Sequence, residues 1–100
     1  MTTEIIKQDN GVVVVLKGSL DTVASGQVAT ELKPVMESDT KDVTIDCSDM
    51  DYIASSGLRL LLMLRKSCKA QGGEVTLVGV QTNVMEVLTI THFDRMFNIK

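Results

Sequence analysis

Residues 46–62 read DCSDMDYIASSGLRLLL, and the reading of this stretch decides the fold. Its first residues close a β-prone run, Asp42–Cys47, centred on Val43, Ile45 and Cys47. A short loop across Tyr52-Ile53 is expected next, followed by a helix opening at Ser55 or Ser56 and running to about Ala70. Gly57, Leu60, Leu61, Leu64 and Cys68 stand at offsets of 0, 3, 4, 7 and 11, a single core-facing stripe. Gly72-Gly73 stops that helix, and Glu74–Val78 reads as the next strand.

Outward from this unit the same alternation continues. Towards the N-terminus, Ile5-Ile6 and Val12–Leu16 flank Asp9-Asn10-Gly11, and Asn-Gly favours a type I′ turn, so the chain opens on a hairpin. The second run is continuous in valine and leucine, which predicts a central strand buried on both faces and ended by Gly18. From Asp21 or Thr22 to Glu37 the period is helical, with Ala24, Val28, Leu32, Val35 and Met36 in one stripe. Pro34 predicts a kink or an early end to that helix. Towards the C-terminus, Asn83–Thr89 reads as a short helix and Met96–Ile99 as a returning edge strand. The expected fold is α/β: one mixed sheet of four to five strands, three helices and right-handed connections.

Composition bounds the function. A chain of 100 residues, 44% apolar and 23% charged, holds one globular domain, taken as residues 1–100. Ten Lys and Arg against thirteen Asp and Glu give a net charge of −3, which argues against nucleic acid or an anionic membrane as partner. Tyr52, Phe93 and Phe97 are the only aromatics, too few for a base-stacking platform. Met1-Thr2-Thr3-Glu4 does not start a signal peptide, and the longest apolar runs, Val12–Leu16 and Leu60–Leu64, are too short to span a bilayer. Cys47 and Cys68 have no metal-ligand spacing and read as buried core thiols in a reducing cytoplasm.

The Ser55-Ser56-Gly57 segment carries two readings. Serine is a preferred N-cap, because its hydroxyl accepts from an orphan backbone donor. A serine at a helix start also carries phosphate well, since free amides and the dipole both favour an anion there. Charge is divided around it: Glu37–Asp51 holds six acids and one base, whereas Ser55–Gly73 holds four bases and no acid. These are either two solvated faces or one dipolar docking surface with the serine on its boundary. Leu58, Leu62 and Met63 lie off the core stripe beside Arg59 and Lys66, either tucked under the last helix or forming an exposed apolar strip for a protein partner.

Enzyme readings are poorly supplied. His92 is the only histidine, in a Thr-His-Phe-Asp stretch that reads as a turn. The Asp46, Asp49 and Asp51 cluster lacks the acidic pair after the first strand and the lysine after a late strand that an aspartyl-phosphate magnesium site needs, and no Walker loop or GxGxxG occurs. Neither catalysis, nor a metal, nor a cofactor is expected.

Four stretches in order carry a family likeness: Gly18-Ser19-Leu20-Asp21, Tyr52-Ile53-Ala54-Ser55-Ser56-Gly57-Leu58, Gln71-Gly72-Gly73 with Val75–Val78, and Val84, Val87-Leu88 with Phe93-Asp94, Phe97 and Ile99. In these the chain resembles a STAS domain of the bacterial anti-sigma factor antagonist family. The resemblance implies a cytoplasmic switch protein without catalysis, monomeric when free. Its unmodified form would bind an anti-sigma factor that is also a GHKL-type serine kinase, and so release a sigma factor or another client. Phosphorylation would end binding, and a PP2C-type phosphatase would reset it. By position the acceptor is Ser55, with Ser56 its neighbour, and Asp21, Thr22, Ala54, Ser56, Gly57, Leu58, Arg59 and Leu62 are the expected partner contacts. Ala54 stands where the family most often has aspartate, and His92 where a glycine is common. Two other readings stay open: a STAS binding module in which Ser55 is only a cap, and a small phosphotransfer component using His92 or the acidic cluster.

Overall fold

The computed structural model describes residues 1–9 and 11–100, so the turn geometry expected of Asn10 lies outside the described residues. Strands β1 (Thr2–Gln8) and β2 (Gly11–Leu20) form the opening hairpin, with Gln8 opposite Gly11. Helix α1 (Thr22–Met36), β3 (Val43–Ile53), α2 (Ser55–Ala70), β4 (Val75–Val78), α3 (Thr82–Ile90) and β5 (Asn98–Ile99) follow. The sheet order is β1-β2-β3-β4-β5, antiparallel at the first pair and parallel at the other three. This is the expected mixed α/β layer, with five strands and three helices.

The core lies between α1, α2 and one face of the sheet. Val12, Val14 and Leu16, Val43, Ile45 and Cys47, and Val75 and Leu77 are all buried there. The intervening Val13, Val15, Thr44, Thr76 and Val78 are only half-buried. The expectation that Val12–Leu16 is buried on both faces is therefore corrected. Crossovers through α1 and α2 that advance in one direction with one hand cover the same side of the sheet. The run of valines reflects β-propensity as much as burial.

Two strands run further than expected. Gly18 does not end β2; its φ of +111° accommodates a register shift between Gly18 and Ser19, and pairing continues to Leu20. Opposite it, Tyr52 and Ile53 are not a loop but the last residues of β3, paired with Ser19 and Leu20. Exposed residues come here in pairs, Ser48-Asp49 and Asp51-Tyr52, separated by buried Met50 and Ile53. A bulged strand makes that spacing, which a search for simple alternation reads as loop.

Pro34 neither ends nor shortens α1. It sits in the last turn, the helix runs to Met36, and the Glu37 amide still reaches the Lys33 carbonyl at 2.9 Å. At the other end of the chain the edge strand is only Asn98–Ile99, because Phe93–Arg95 form a 3-10 turn. His92 precedes that turn with a φ of 63°, the left-handed region where glycine is least strained and histidine is tolerated. Helix α3 packs on the second half of β3, where Gln81 Nε2 donates to the Ser48 carbonyl at 2.8 Å and Asn83 Nδ2 donates to the Asp51 carbonyl.

Candidate functional site

Paired Leu20 and Ile53 end the two central strands side by side, and the Ala54 amide donates to the Leu20 carbonyl at 2.9 Å. Each strand then feeds a helix, so the N-termini of α1 and α2 meet at the carboxyl edge of the sheet, the usual ligand edge of an α/β layer. Asp21 caps α1, its carboxylate accepting from the Ala24 amide at 2.8 Å. The Ser25 hydroxyl is buried and donates to the Asp21 carbonyl at 2.6 Å. Ser56 Oγ donates in turn to Ser25 Oγ at 3.2 Å, so the two first turns are stitched together.

Neither serine of the pair caps α2. The cap residue is Ala54, extended at φ −91° and ψ 169°, and it makes no side-chain cap hydrogen bond. The Leu58 amide bonds to the Ala54 carbonyl at 3.1 Å, which makes Ser55 and Ser56 the first two residues inside the helix. The capping expectation is thus corrected. Ser56 is half-buried and tied to α1, whereas Ser55 is exposed. Gly57 is fixed by close approach: a Cβ there would lie 2.9 Å from the Leu20 side chain and 3.0 Å from that of Ile53. Any other residue would force the Leu20 side chain or the start of α2 to shift.

Below the serines, the buried arc of α2 is wider than the expected stripe. Leu58 is only 6% exposed and belongs to the core with Gly57, Leu60, Leu61, Leu64 and Cys68. Its expected place among exposed partner contacts is corrected: a core-facing helix buries an arc of more than 100°, and Leu58 stands one turn from Leu61 within it. Leu62 is half-buried against the core margin, Met63 is exposed, and Arg59 and Lys66 are exposed on the same side as Ser55. Asp21 and Thr22 are exposed at the start of α1. Two further exposed apolar residues stand at the strand–helix joints, Val23 at 82% exposure and Tyr52 at the end of β3. The sequence reading leaves Val23 unnamed and gives Tyr52 no place among the partner contacts; the signal was their position at a joint and off every core stripe.

The acidic residues next to this edge are held by local hydrogen bonds. Ser19 Oγ donates to Asp51 Oδ1 at 2.6 Å. The Ser48 amide and hydroxyl both donate to Asp46 Oδ1, at 3.0 and 2.5 Å, and hold its carboxyl below the usual range. Among the described residues no group of three or more His, Cys, Asp or Glu is arranged to hold a metal ion. Burial pushes the Cys47 thiol up to about 12 and raises that of Cys68, and both cysteines are free. Two cavities lie away from Ser55. One of about 760 Å³ lies between Lys7, Pro34 and Asp42 at the opposite end of β3, and one of about 420 Å³ runs along α3 between Val80, Met85 and Ile90. Neither cavity is lined by Ser55 or its neighbours in α2. Among the described residues no helix is long and apolar enough to cross a membrane.

Comparison with known proteins places these features in a wider group. A profile of the STAS domain matches residues 2–100. The Bordetella bronchiseptica protein BtrV, which carries a provisional assignment as an anti-sigma factor antagonist, is 29% identical over 93 residues, covering 93% of this chain and 80% of that protein. An anti-sigma-factor antagonist STAS domain protein from Planctomyces limnophilus superposes with a TM-score of 0.87 at 23% identity, over 98% of this chain and 87% of that one. The Bacillus cell fate determinant SpoIIAA in its phosphorylated form superposes with a TM-score of 0.77 at 17% identity, over 99% of this chain and 91% of that one. The likeness to the two solved structures is one of fold.

Proposed function

The chain belongs to the STAS domain family, and on that premise we propose that it is an anti-sigma factor antagonist in a partner-switching pathway, acting in the cytoplasm as one domain without catalysis. Unmodified, it binds an anti-sigma factor of the GHKL serine kinase type and releases that factor's client. Phosphorylation of Ser55 by the kinase ends the complex, and a PP2C-type phosphatase restores it. The docking surface comprises Asp21, Thr22, Ala54, Ser56, Arg59 and Leu62, around an exposed Ser55; Gly57, expected among the contacts, is buried against Leu20 and Ile53 and seats the helix instead.

The observation that carries this reading is the difference between the two serines. Ser56 is engaged with Ser25, whereas Ser55 is exposed, does not cap its helix and stands in the first turn of α2. A phosphoryl group adds about −1.5 to −2 charges. At a helix start the dipole favours that charge by roughly 0.3–1 kcal/mol, so the domain stays folded. In a docked interface the same charge must be desolvated or meet like charge; a loss of several kcal/mol follows, with each ~1.4 kcal/mol a tenfold loss of affinity. The switch therefore acts on docking rather than on folding.

Ala54 favours a second reading, a docking module without phosphate control, since the residue directly before the acceptor carries no carboxylate. Intact mass after incubation with host lysate and ATP separates the two. An acid-stable gain of about 80 Da, one phosphoryl group, that is absent from Ser55→Ala supports the switch. No gain supports the plain module. An acid-labile gain on His92 or Asp49 points to phosphotransfer instead.

A further inference from the structure

We propose that Arg59 holds the phosphoryl group of modified Ser55 in an i,i+4 pair on the surface of α2, and that the pair takes the guanidinium away from the docking surface. The inference rests on Ser55 as the acceptor, the reading given above, and not on which enzyme supplies the phosphate.

Ser55 and Arg59 are both exposed, one turn apart in a helix that runs unbroken from Ser55 to Ala70. Residues at that spacing have Cβ atoms about 5–6 Å apart. Helical side chains lean towards the N-terminus, so a long side chain at position 59 covers the turn that carries position 55. An anion N-terminal to its cation is also the favoured order of an i,i+4 pair. A phosphoryl group offers three acceptor oxygens, and the planar guanidinium meets two of them at once.

Arg59 has no competing partner. Among the described residues the ion pairs are Lys33–Glu37 and Lys69–Glu74, and α2 contains no aspartate or glutamate. The phosphate in turn has no competing cation in the adjoining segments. Residues 18–25 and 48–58 hold no lysine or arginine, and neither does α3. The charged residues of those segments, Asp21, Asp49, Asp51 and Glu86, are all acidic. Unmodified, the guanidinium is available to a carboxylate of the partner. With Ser55 phosphorylated it is occupied, so one modification both adds negative charge to this surface and withdraws positive charge from it.

Phosphoserine encoded at position 55 during translation supplies the modified chain without a kinase. Its second ionisation, at about pH 6, is then followed by phosphorus NMR. The helix start acts on the phosphate whether or not Arg59 is present, so comparison with Arg59→Gln isolates the pair. With Arg59 the ionisation should come lower than in Arg59→Gln by about 0.3 unit or more, roughly twofold in the constant. Arg59→Lys should fall between them, because a lysine keeps the charge and loses the two-point contact. The difference should shrink from about 0.05 to about 0.5 M salt, as it does for exposed charges. Equal ionisation with Arg59 and with Gln, in chains of unchanged far-ultraviolet dichroism, overturns the proposal. So does an equal rise in Lys66→Gln, since Lys66 lies about three turns from Ser55 and would report a diffuse field rather than a pair. The two readings fail separately: a kinase that never modifies Ser55 removes the switch, whereas this titration reads the pair alone.

Discussion

Ser56 Oγ donates to Ser25 Oγ across 3.2 Å, joining the first turns of two helices whose residues are 31 positions apart. Ser25 passes the link to the Asp21 carbonyl at 2.6 Å, while Ser55, one residue away, is exposed. Ser56→Ala should therefore cost about 0.5–1.5 kcal/mol, the net worth of a hydrogen bond of this kind. Ser55→Ala should stay within about ±0.5 kcal/mol, as a surface change does. Urea unfolding of both variants checks this, and the reverse order would assign the structural role to Ser55.

Asp21 combines a structural role with a proposed one. Its carboxylate caps α1, so Asp21→Ala should lose ~1 kcal/mol, within a range of roughly 0.5–2. Asparagine caps about as well as aspartate and removes the charge. Asp21→Asn should therefore keep the thermal midpoint of the wild type while weakening partner binding. If Asp21→Asn binds as the wild type does, the residue acts only as a cap.

Three leucines of α2 test the proposed docking strip. Leu61 and Leu58 are buried, so truncation of either to alanine should cost ~2–5 kcal/mol. Leu62 is half-buried at the core margin, where a lysine stem covers the same apolar surface and carries its charge into water. Leu62→Lys should cost less than about 1 kcal/mol of stability, in the range of surface changes, and still impair partner binding. Paired unfolding and binding curves check both effects, and a loss as large as that of Leu61→Ala would make Leu62 core and remove the strip.

Acid should expose the Asp46–Ser48 turn. The Ser48 hydroxyl and amide hold the Asp46 carboxyl below its ordinary value of 3.8. A depressed acidic group contributes stability that is present above its unfolded-state value and is lost as pH falls through the folded-state value. Unfolding free energy should thus drop below about pH 4, and Ser48→Ala should show a smaller drop over that interval. Identical acid slopes in the two proteins would contradict this account of Asp46.

The parts of the fold legible in the sequence are those with one simple period. The α2 stripe from Gly57 to Cys68 and the α1 stripe from Ala24 to Val35 are buried as read. Tyr52-Ile53 was misread because register shifts in the β2–β3 pair break the alternation of β3. Leu58 was misread because a strict stripe is narrower than the arc a helix buries on a sheet. The serine pair was legible as the start of a helix, but its division of labour was not. That depends on Ser25, which reads in the sequence as one more polar residue of α1 and is buried in the fold.

The affinity of the chain for the anti-sigma factor kinase proposed as its partner, measured with and without phosphate on Ser55, tests the central claim most directly. The unmodified chain should bind, and the phosphorylated chain should lose affinity by about 100-fold or more, or ~2.7 kcal/mol. Its thermal midpoint should be unchanged or slightly raised, since the helix dipole favours the added charge. Equal affinity of the two forms would contradict the account, as would a loss of binding that is matched by unfolding of the phosphorylated domain.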